Sequence, residues 1–121
     1  MRDYPTVLVG FGVTGASAAR LLLDTGVAPL ALVAVDNRAD ALAEAVELGV
    51  TVHAGDGTTR PVLLGAIFAW TRCVIVTIGP DEAAVMATMI ARELAPGATV
   101  VTAIRDPDHV ARAVRAGADR A

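Results

Sequence analysis

Short apolar runs rich in β-branched residues alternate with alanine-rich stretches along the whole chain, and that alternation leaves few folds open. The runs are Thr6–Val9, Leu30–Val35, Val50–His53, Cys73–Ile78 and Thr99–Ile104. Each reads as a strand buried on both faces, as in a parallel sheet. Between them apolar residues recur at helical spacing. Met86, Met89, Ile90 and Leu94 form one stripe, and Val110, Ala113, Val114 and Gly117 suggest another. The segment from Thr59 to Thr71 reads as a short helix after the third strand. With right-handed crossovers, this order predicts an α/β, Rossmann-type doubly wound parallel sheet in strand order 3-2-1-4-5, with helices on both faces.

The boundary residues agree. Gly79-Pro80-Asp81-Glu82 predicts an N-cap, a proline at the first helical position and acids on the positive end of the helix. Asp106-Pro107-Asp108 repeats the device, and Gly26, Gly49, Gly97 and Gly117 stand where helices should stop. The 121 residues suit one domain, residues 1–121. Aromatics supply only 3% of them, so the interior must be built from Ala, Val, Leu and Ile. A mean hydropathy of +0.57 raises the question of a membrane span. Leu21–Leu23 and Pro29–Val35 are far shorter than the roughly 20 residues a crossing needs. Arg2 and Asp3 lead straight into a strand, so no signal peptide is expected. Ala116-Gly117-Ala118-Asp119 stands about where a sixth strand would begin, so a piece of a longer protein is expected.

Several functions are disfavoured by composition. A net charge of −3 and a pI near 5.2 offer no basic stripe for nucleic acid. All ten basic residues are Arg, which removes lysine Schiff-base chemistry and a P-loop lysine together. Cys73 is the sole cysteine and starts a strand, so a small buried hydrophobe is the expected role, in a cytoplasmic setting. His53 and His109 lack metal-ligand partners and are expected at the surface or rim. Ser17 lies within a helix with no recognisable base, and Trp70 is expected under a helix or in a contact surface. Catalytic residues and metal ligands are not found.

The motif that carries chemistry is Gly10-Phe11-Gly12-Val13-Thr14-Gly15, a GxGxxG between the first strand and the first helix. Gly10 permits the tight turn, Gly12 lets a pyrophosphate approach the backbone, and Gly15 lets the helix pack closely on the sheet. The first-turn amides then hold the anion without a lysine. Asp36 ends the second strand about 20 residues further on, where an acid accepts hydrogen bonds from ribose hydroxyls. Its charge favours NAD or an adenine nucleotide over NADP, although Arg38, beside Asn37, is the residue type an NADP site would use. The competing reading is a plain βα turn with Asp36 capping the next helix. His53-Ala54-Gly55-Asp56-Gly57-Thr58 comes after the third strand, where Asp56 and Gly57 either meet the adenine side or form a glycine-rich turn. Thr77, Ile78 and Gly79 end the fourth strand on the same rim, either over the ribose or as ordinary punctuation.

Taken in order and spacing, the GxGxxG turn, Asp36, the Gly55-Asp56 loop, Val74-Ile75-Val76-Thr77 followed by Asp81-Glu82, and Ala116-Gly117-Ala118-Asp119 resemble the N-terminal RCK domain, also called TrkA-N. The resemblance covers nearly the whole chain. It implies a regulator rather than an enzyme, which binds NAD(H) or an adenine nucleotide (ATP, ADP or AMP). It also implies assembly as a homodimer or larger ring, and a potassium channel or transporter subunit as partner at the inner face of the membrane. Transferred by position, the phosphate loop is Gly10 to Gly15, the ribose ligand Asp36, and the adenine-side loop Asp56 and Gly57. The chain departs from the family pattern at Val13, Ala84 and Ala103, where an Arg, an Asn and a basic residue are common. Two rival readings stay open: the cofactor half of an NAD-dependent oxidoreductase, and an oligomerisation module.

Overall fold

A computed structural model describes residues 5–121, so Arg2 and Asp3, and the reading of the amino-terminal start, lie outside the described residues. The elements run β1 (Thr6–Val9), α1 (Val13–Asp24), β2 (Leu32–Asp36), α2 (Ala39–Glu47), β3 (Thr51–Ala54) and α3 (Arg60–Leu64). They continue with β4 (Cys73–Val76), α4 (Asp81–Leu94), β5 (Thr99–Thr102) and α5 (Val110–Ala116), and single 3-10 turns cover Pro29–Ala31 and Pro107–His109. The strands form one parallel sheet in the order β3-β2-β1-β4-β5, as the alternation of elements predicts. Parallel pairing brings all the carboxyl ends to one edge. Val9 lies beside Val35 and Val76, Asp36 beside Ala54, and Val76 beside Thr102.

Two apolar layers cover the sheet. Leu8, Leu32 and Ala34 face α1 and α2 through Ala16, Ala19, Ala41 and Ala45. Val7, Val9, Val33 and Val74 face α3 and α4 through Leu63, Ala84, Ala87 and Ala91. Helices thus lie on both faces. The central strands are continuously apolar because both their faces are covered, whereas edge strand β3 alternates and exposes Val52.

Several boundaries differ from the sequence reading, each for a local reason. β2 starts at Leu32, because Pro29 opens a 3-10 turn that leaves Leu30 exposed. β3 runs Thr51–Ala54, one residue later than expected. β4 and β5 each end two residues early, at Val76 and Thr102. Thr77 still donates its N–H to the Val9 carbonyl at 2.9 Å, but its hydroxyl then donates to the Gly10 carbonyl at 3.0 Å, and the chain leaves the ladder. Pro80, not Gly79, is the N-cap of α4. Asp106 does cap its turn, accepting from the Asp108 N–H at 2.9 Å.

The methionine stripe is the main correction. Of the expected stripe Ile90 is buried and Leu94 packs against the core, but Met86 and Met89 are about half exposed, and α4 buries Ala84, Ala87, Thr88 and Ala91 in their place. Small side chains let the helix axis come close to the sheet, where the buried Thr88 and Thr102 hydroxyls meet at 2.7 Å. On α5 only Ala113 of the expected stripe is fully buried, and Val114 is exposed. Gly97 falls in the turn beyond α4 rather than at its end. Trp70 is exposed and stacks on Phe68, with ring centroids 5.1 Å apart. Arg92 ties the end of α4 to both ends of the neighbouring chain segments, donating to the Gly117 and Ala98 carbonyls and to Asp119. Beyond Asp119, Arg120 forms a parallel bridge with Val101, where the sequence suggests a sixth strand.

Candidate functional site

The carboxyl edge of the sheet opens into a cleft of about 850 Å³ above β1, β2 and β4. Its position is a consequence of topology. The chain leaves β1 toward one face and β4 toward the other, so the loops part between them and leave a crevice.

The glycine turn forms the floor. Gly10 has φ of +101°, a conformation that side chains rarely adopt, and its N–H donates to the Val35 carbonyl at 2.8 Å. A Cβ on Gly15 would lie 2.2 Å from the Gly10 carbonyl oxygen, so only glycine lets α1 start this close to the strand. Gly12 is different: a Cβ there would approach only the end of the Arg38 side chain, at 3.1 Å. It is the N-cap of α1 and, with Val13 and Thr14, lines the cleft. No side chain caps this helix, as none caps α2 or α4, but its first turn has no acid, in contrast to α2 with Asp40 and α4 with Asp81 and Glu82. The first intrahelical bond runs from the Ala16 N–H to the Gly12 carbonyl, so the N–H groups before it have no helical partner. These N–H groups and the positive end of α1 behind them are suited to an anion.

Asp36 stands at the end of β2, buried and held. Its Oδ2 accepts the Phe11 N–H at 2.8 Å, and its Oδ1 accepts the Arg38 N–H at 2.9 Å, with Arg38 Nε at 3.4 Å. Burial pushes its pKa up, but those N–H groups and the guanidinium outweigh burial, so the carboxyl stays below its ordinary value. An ionised, prepositioned acceptor on the cleft wall is the result. Asn37 and Arg38 line the cleft beside it.

Across the cleft, Asp56 Oδ1 accepts the hydroxyl of Thr58 at 2.7 Å and its N–H at 2.9 Å, and these bonds lower its pKa. Asp56 therefore shapes its own turn while lining the cleft. The hydrogen of Gly57 points at Val9 and Ile78, where a Cβ would lie 2.6 Å from Val9 Cγ1. Thr77, Ile78 and Gly79 complete the far wall.

Two motif residues lie elsewhere. Phe11 is buried against Ala16, Ala19 and Leu32, and its backbone N–H alone serves the site. Gly15 is buried under the turn. Arg105, two residues beyond Ala103 where the family commonly has a basic residue, was not among the expected site residues, yet it lines the cleft with its guanidinium against Gly79. Its place at the carboxyl end of β5 was the available signal, since loops at that sheet edge meet the ligand in open α/β folds. Asp81, beside this wall, accepts the Arg105 N–H at 2.9 Å, the Asp106 N–H at 3.0 Å and a bond with His109 Nδ1 at 2.9 Å. Those bonds, the Arg105 N–H first, hold its pKa at about 2.

His53 reaches the Val62 carbonyl at 2.9 Å, on the outer side of β3. Burial pushes the Cys73 thiol pKa up, which suits an unreactive sulfur. Among the described residues no group of three or more His, Cys, Asp or Glu is placed to hold a metal ion, and no helix is long and apolar enough to cross a membrane.

Residues 6–121 match the family of the TrkA-N domain. The chain belongs to the TrkA-N family. This TrkA-N domain is 29% identical over 119 residues to the glutathione-regulated potassium-efflux system protein KefC of Escherichia coli, and it spans 19% of that protein's length. Its fold is shared with the TrkA-N domain of the inner membrane protein ybaL of Escherichia coli, at 24% identity and a TM-score of 0.86. That match covers 98% of this chain and 85% of the other. It is shared also with the NAD(P)-binding domain of an exopolyphosphatase-related protein from Archaeoglobus fulgidus, at 18% identity and a TM-score of 0.83, over 98% and 86% of the two chains. The GsuK structure bound to ADP matches 99% of this chain with 31% of its own, at 22% identity and a TM-score of 0.81.

Proposed function

We propose that this TrkA-N domain is a ligand-sensing regulatory module of a longer potassium channel or transporter, or of its associated subunit, and not an enzyme. It binds NAD(H) or an adenine nucleotide (ATP, ADP or AMP). The observation that carries this reading is the uncapped start of α1, opening into the same cleft as the ionised, fixed Asp36. The pyrophosphate sits on the α1 amides over Gly12, the ribose hydroxyls on Asp36, and the adenine beside Asp56 and Gly57. Arg105 extends the positive field toward the far end of a longer ligand. A nicotinamide, when bound, would bring hydride chemistry. Around the cleft this chain offers binding groups: amides, two carboxylates, two guanidiniums and hydroxyls.

Regulation then works by population shift. A nucleotide bridging the glycine turn with the Asp36 and Asp56 loops favours one arrangement of the domain against its partner copy. Differential affinity sets the size of the effect, typically ~1–3 kcal/mol. The half-exposed Met86 and Met89 on α4 and the exposed Val114 on α5 supply apolar surface for a homodimer or ring. The potassium-efflux relative supports a membrane transport partner, and on this reading the domain lies at the inner face of the membrane. The GsuK structures bound to ADP and to NAD support the ligand class.

The test is thermal unfolding with NAD, NADH, ATP, ADP and AMP, with hits confirmed by calorimetry. A ligand at 100 times its dissociation constant should add about 2.7 kcal/mol of stability. The gain should vanish in Asp36→Ala, each protein being compared with its own ligand-free melt. A folded protein whose transition no nucleotide moves would rule out sensing by this cleft.

A further inference from the structure

The end of β2 holds an acid and a base in one hydrogen-bonded unit, and their geometry bears on which nucleotides fit. An Asp at this position normally excludes a ribose phosphate by its charge, while its oxygens take the ribose hydroxyls. Here the charge is matched. Asp36 accepts N–H groups from Phe11 and Arg38 and faces the Arg38 guanidinium at 3.4 Å.

Arg38 is less committed. Only Nε meets Asp36, the side chain is 54% exposed, and the guanidinium lies along the cleft between Asp36 and Gly12. A guanidinium keeps its charge at every relevant pH and presents five donors in a planar fork that suits phosphate. A second feature adds to it. Arg38 is also the N-cap of α2, whose first helical bond runs from the Leu42 N–H to the Arg38 carbonyl. The amides of Ala39, Asp40 and Ala41 therefore have no helical acceptor and set the positive end of α2 behind the Arg38 backbone, while the cleft lining itself stops at Arg38. Asp40 is the other acid whose charge Arg38 feels, and it is exposed on the first turn of α2.

We propose that Arg38 extends the ligand class of this cleft to nucleotides carrying a phosphate on the adenosine ribose, NADP(H) among them. The proposal rests on the nucleotide-binding reading above and revises the preference against NADP that Asp36 alone suggests. A ribose phosphate carries about −1.5 to −2 charges near neutral pH. The Asp36–Arg38 unit is neutral as a pair, so Arg38 can turn its unused donors to that phosphate while Asp36 stays bonded to the two backbone N–H groups.

Calorimetric titration of the chain with NADH, NADPH, 5′-AMP, 2′,5′-ADP and 3′,5′-ADP tests this in the wild type, Arg38→Ala and Arg38→Lys. The wild type should bind NADPH within about tenfold of NADH, a gap of about 1.4 kcal/mol at most. It should also bind at least one ribose-phosphorylated mononucleotide more tightly than 5′-AMP, and the two isomers identify which hydroxyl bears the favoured phosphate. Arg38→Ala should weaken NADPH at least about tenfold more than it weakens NADH, as loss of a charge-assisted bond requires, and Arg38→Lys should recover part of the difference. Should the alanine variant fail to fold, the lysine variant and the wild-type ligand series still decide. Equal weakening of NADH and NADPH in Arg38→Ala would assign Arg38 to the pyrophosphate and overturn the proposal. Binding of NADH without NADPH or either phosphorylated mononucleotide would also overturn it, leaving the nucleotide reading intact. Binding of none of the five would overturn both.

Discussion

Asp81 and Asp36 are both acids at a sheet–helix boundary, yet their partners give them different work. Asp36 gathers N–H groups from the glycine turn and from its own loop, and so is held as a fixed acceptor on the cleft wall. Asp81 gathers N–H groups from the loop after β5 and a ring nitrogen of His109, and so fastens that loop to the start of α4. A pKa near 2 in the folded chain, against about 3.9 when unfolded, has a definite sign. The stabilisation is present above the unfolded value and is lost as pH falls from about 4 toward about 2. Melting temperatures measured between about pH 5 and about pH 2 should therefore fall more steeply for the wild type than for Asp81→Asn, which has nothing to protonate there. Parallel pH profiles would remove Asp81 from the account. At this scale the sequence was legible where a residue's task is local. The glycines and Asp36 could be read from spacing alone, because a tight βα turn and the end of a strand leave them little freedom. Arg105 was legible only as a residue at the carboxyl end of β5; its contact with Gly79 and the bonds of Asp81 were not, because they depend on how the loop after β5 returns across the sheet edge.

Among the elements, α4 shows where periodicity misleads. Its large apolar residues suggested a core stripe through Met86 and Met89, but a helix seated between a sheet and α5 is fitted by its small residues. Ala84, Ala87 and Ala91 are fully buried, and Thr88 places a hydroxyl against Thr102. Overpacking should therefore matter more than truncation. Ala87→Leu should destabilise the domain by about 1–3 kcal/mol or more, whereas Met86→Ala should stay within about 0.5 kcal/mol in the monomer. Urea unfolding of both variants checks the contrast, and a larger loss in Met86→Ala would mean that α4 sits the other way round. Strand existence and type were readable throughout. Strand ends were not, since Pro29 and the Thr77 hydroxyl decide them by turn chemistry and by a bond to a segment far away in sequence.

For the whole molecule, strand order and the cleft share one topological cause: β1 and β4 lie side by side and send their helices to opposite faces. Alternating apolar runs and right-handed crossovers were enough to predict that order, and family membership agrees with it. The central claim is that the crevice so made receives a nucleotide phosphate over Gly12. Calorimetric titration of NADH and ADP into the wild type, Gly12→Ala and Gly15→Ala tests it most directly, with a thermal melt of each. A methyl at Gly12 meets only the end of the flexible Arg38 side chain, so that variant should melt close to the wild type. The same methyl occupies the phosphate's path, and affinity should fall by about tenfold or more. Gly15→Ala should instead lower the melting temperature, because its Cβ collides with the Gly10 carbonyl. If Gly12→Ala binds both nucleotides as tightly as the wild type, the phosphate does not lie on this turn, and the account of the cleft is wrong.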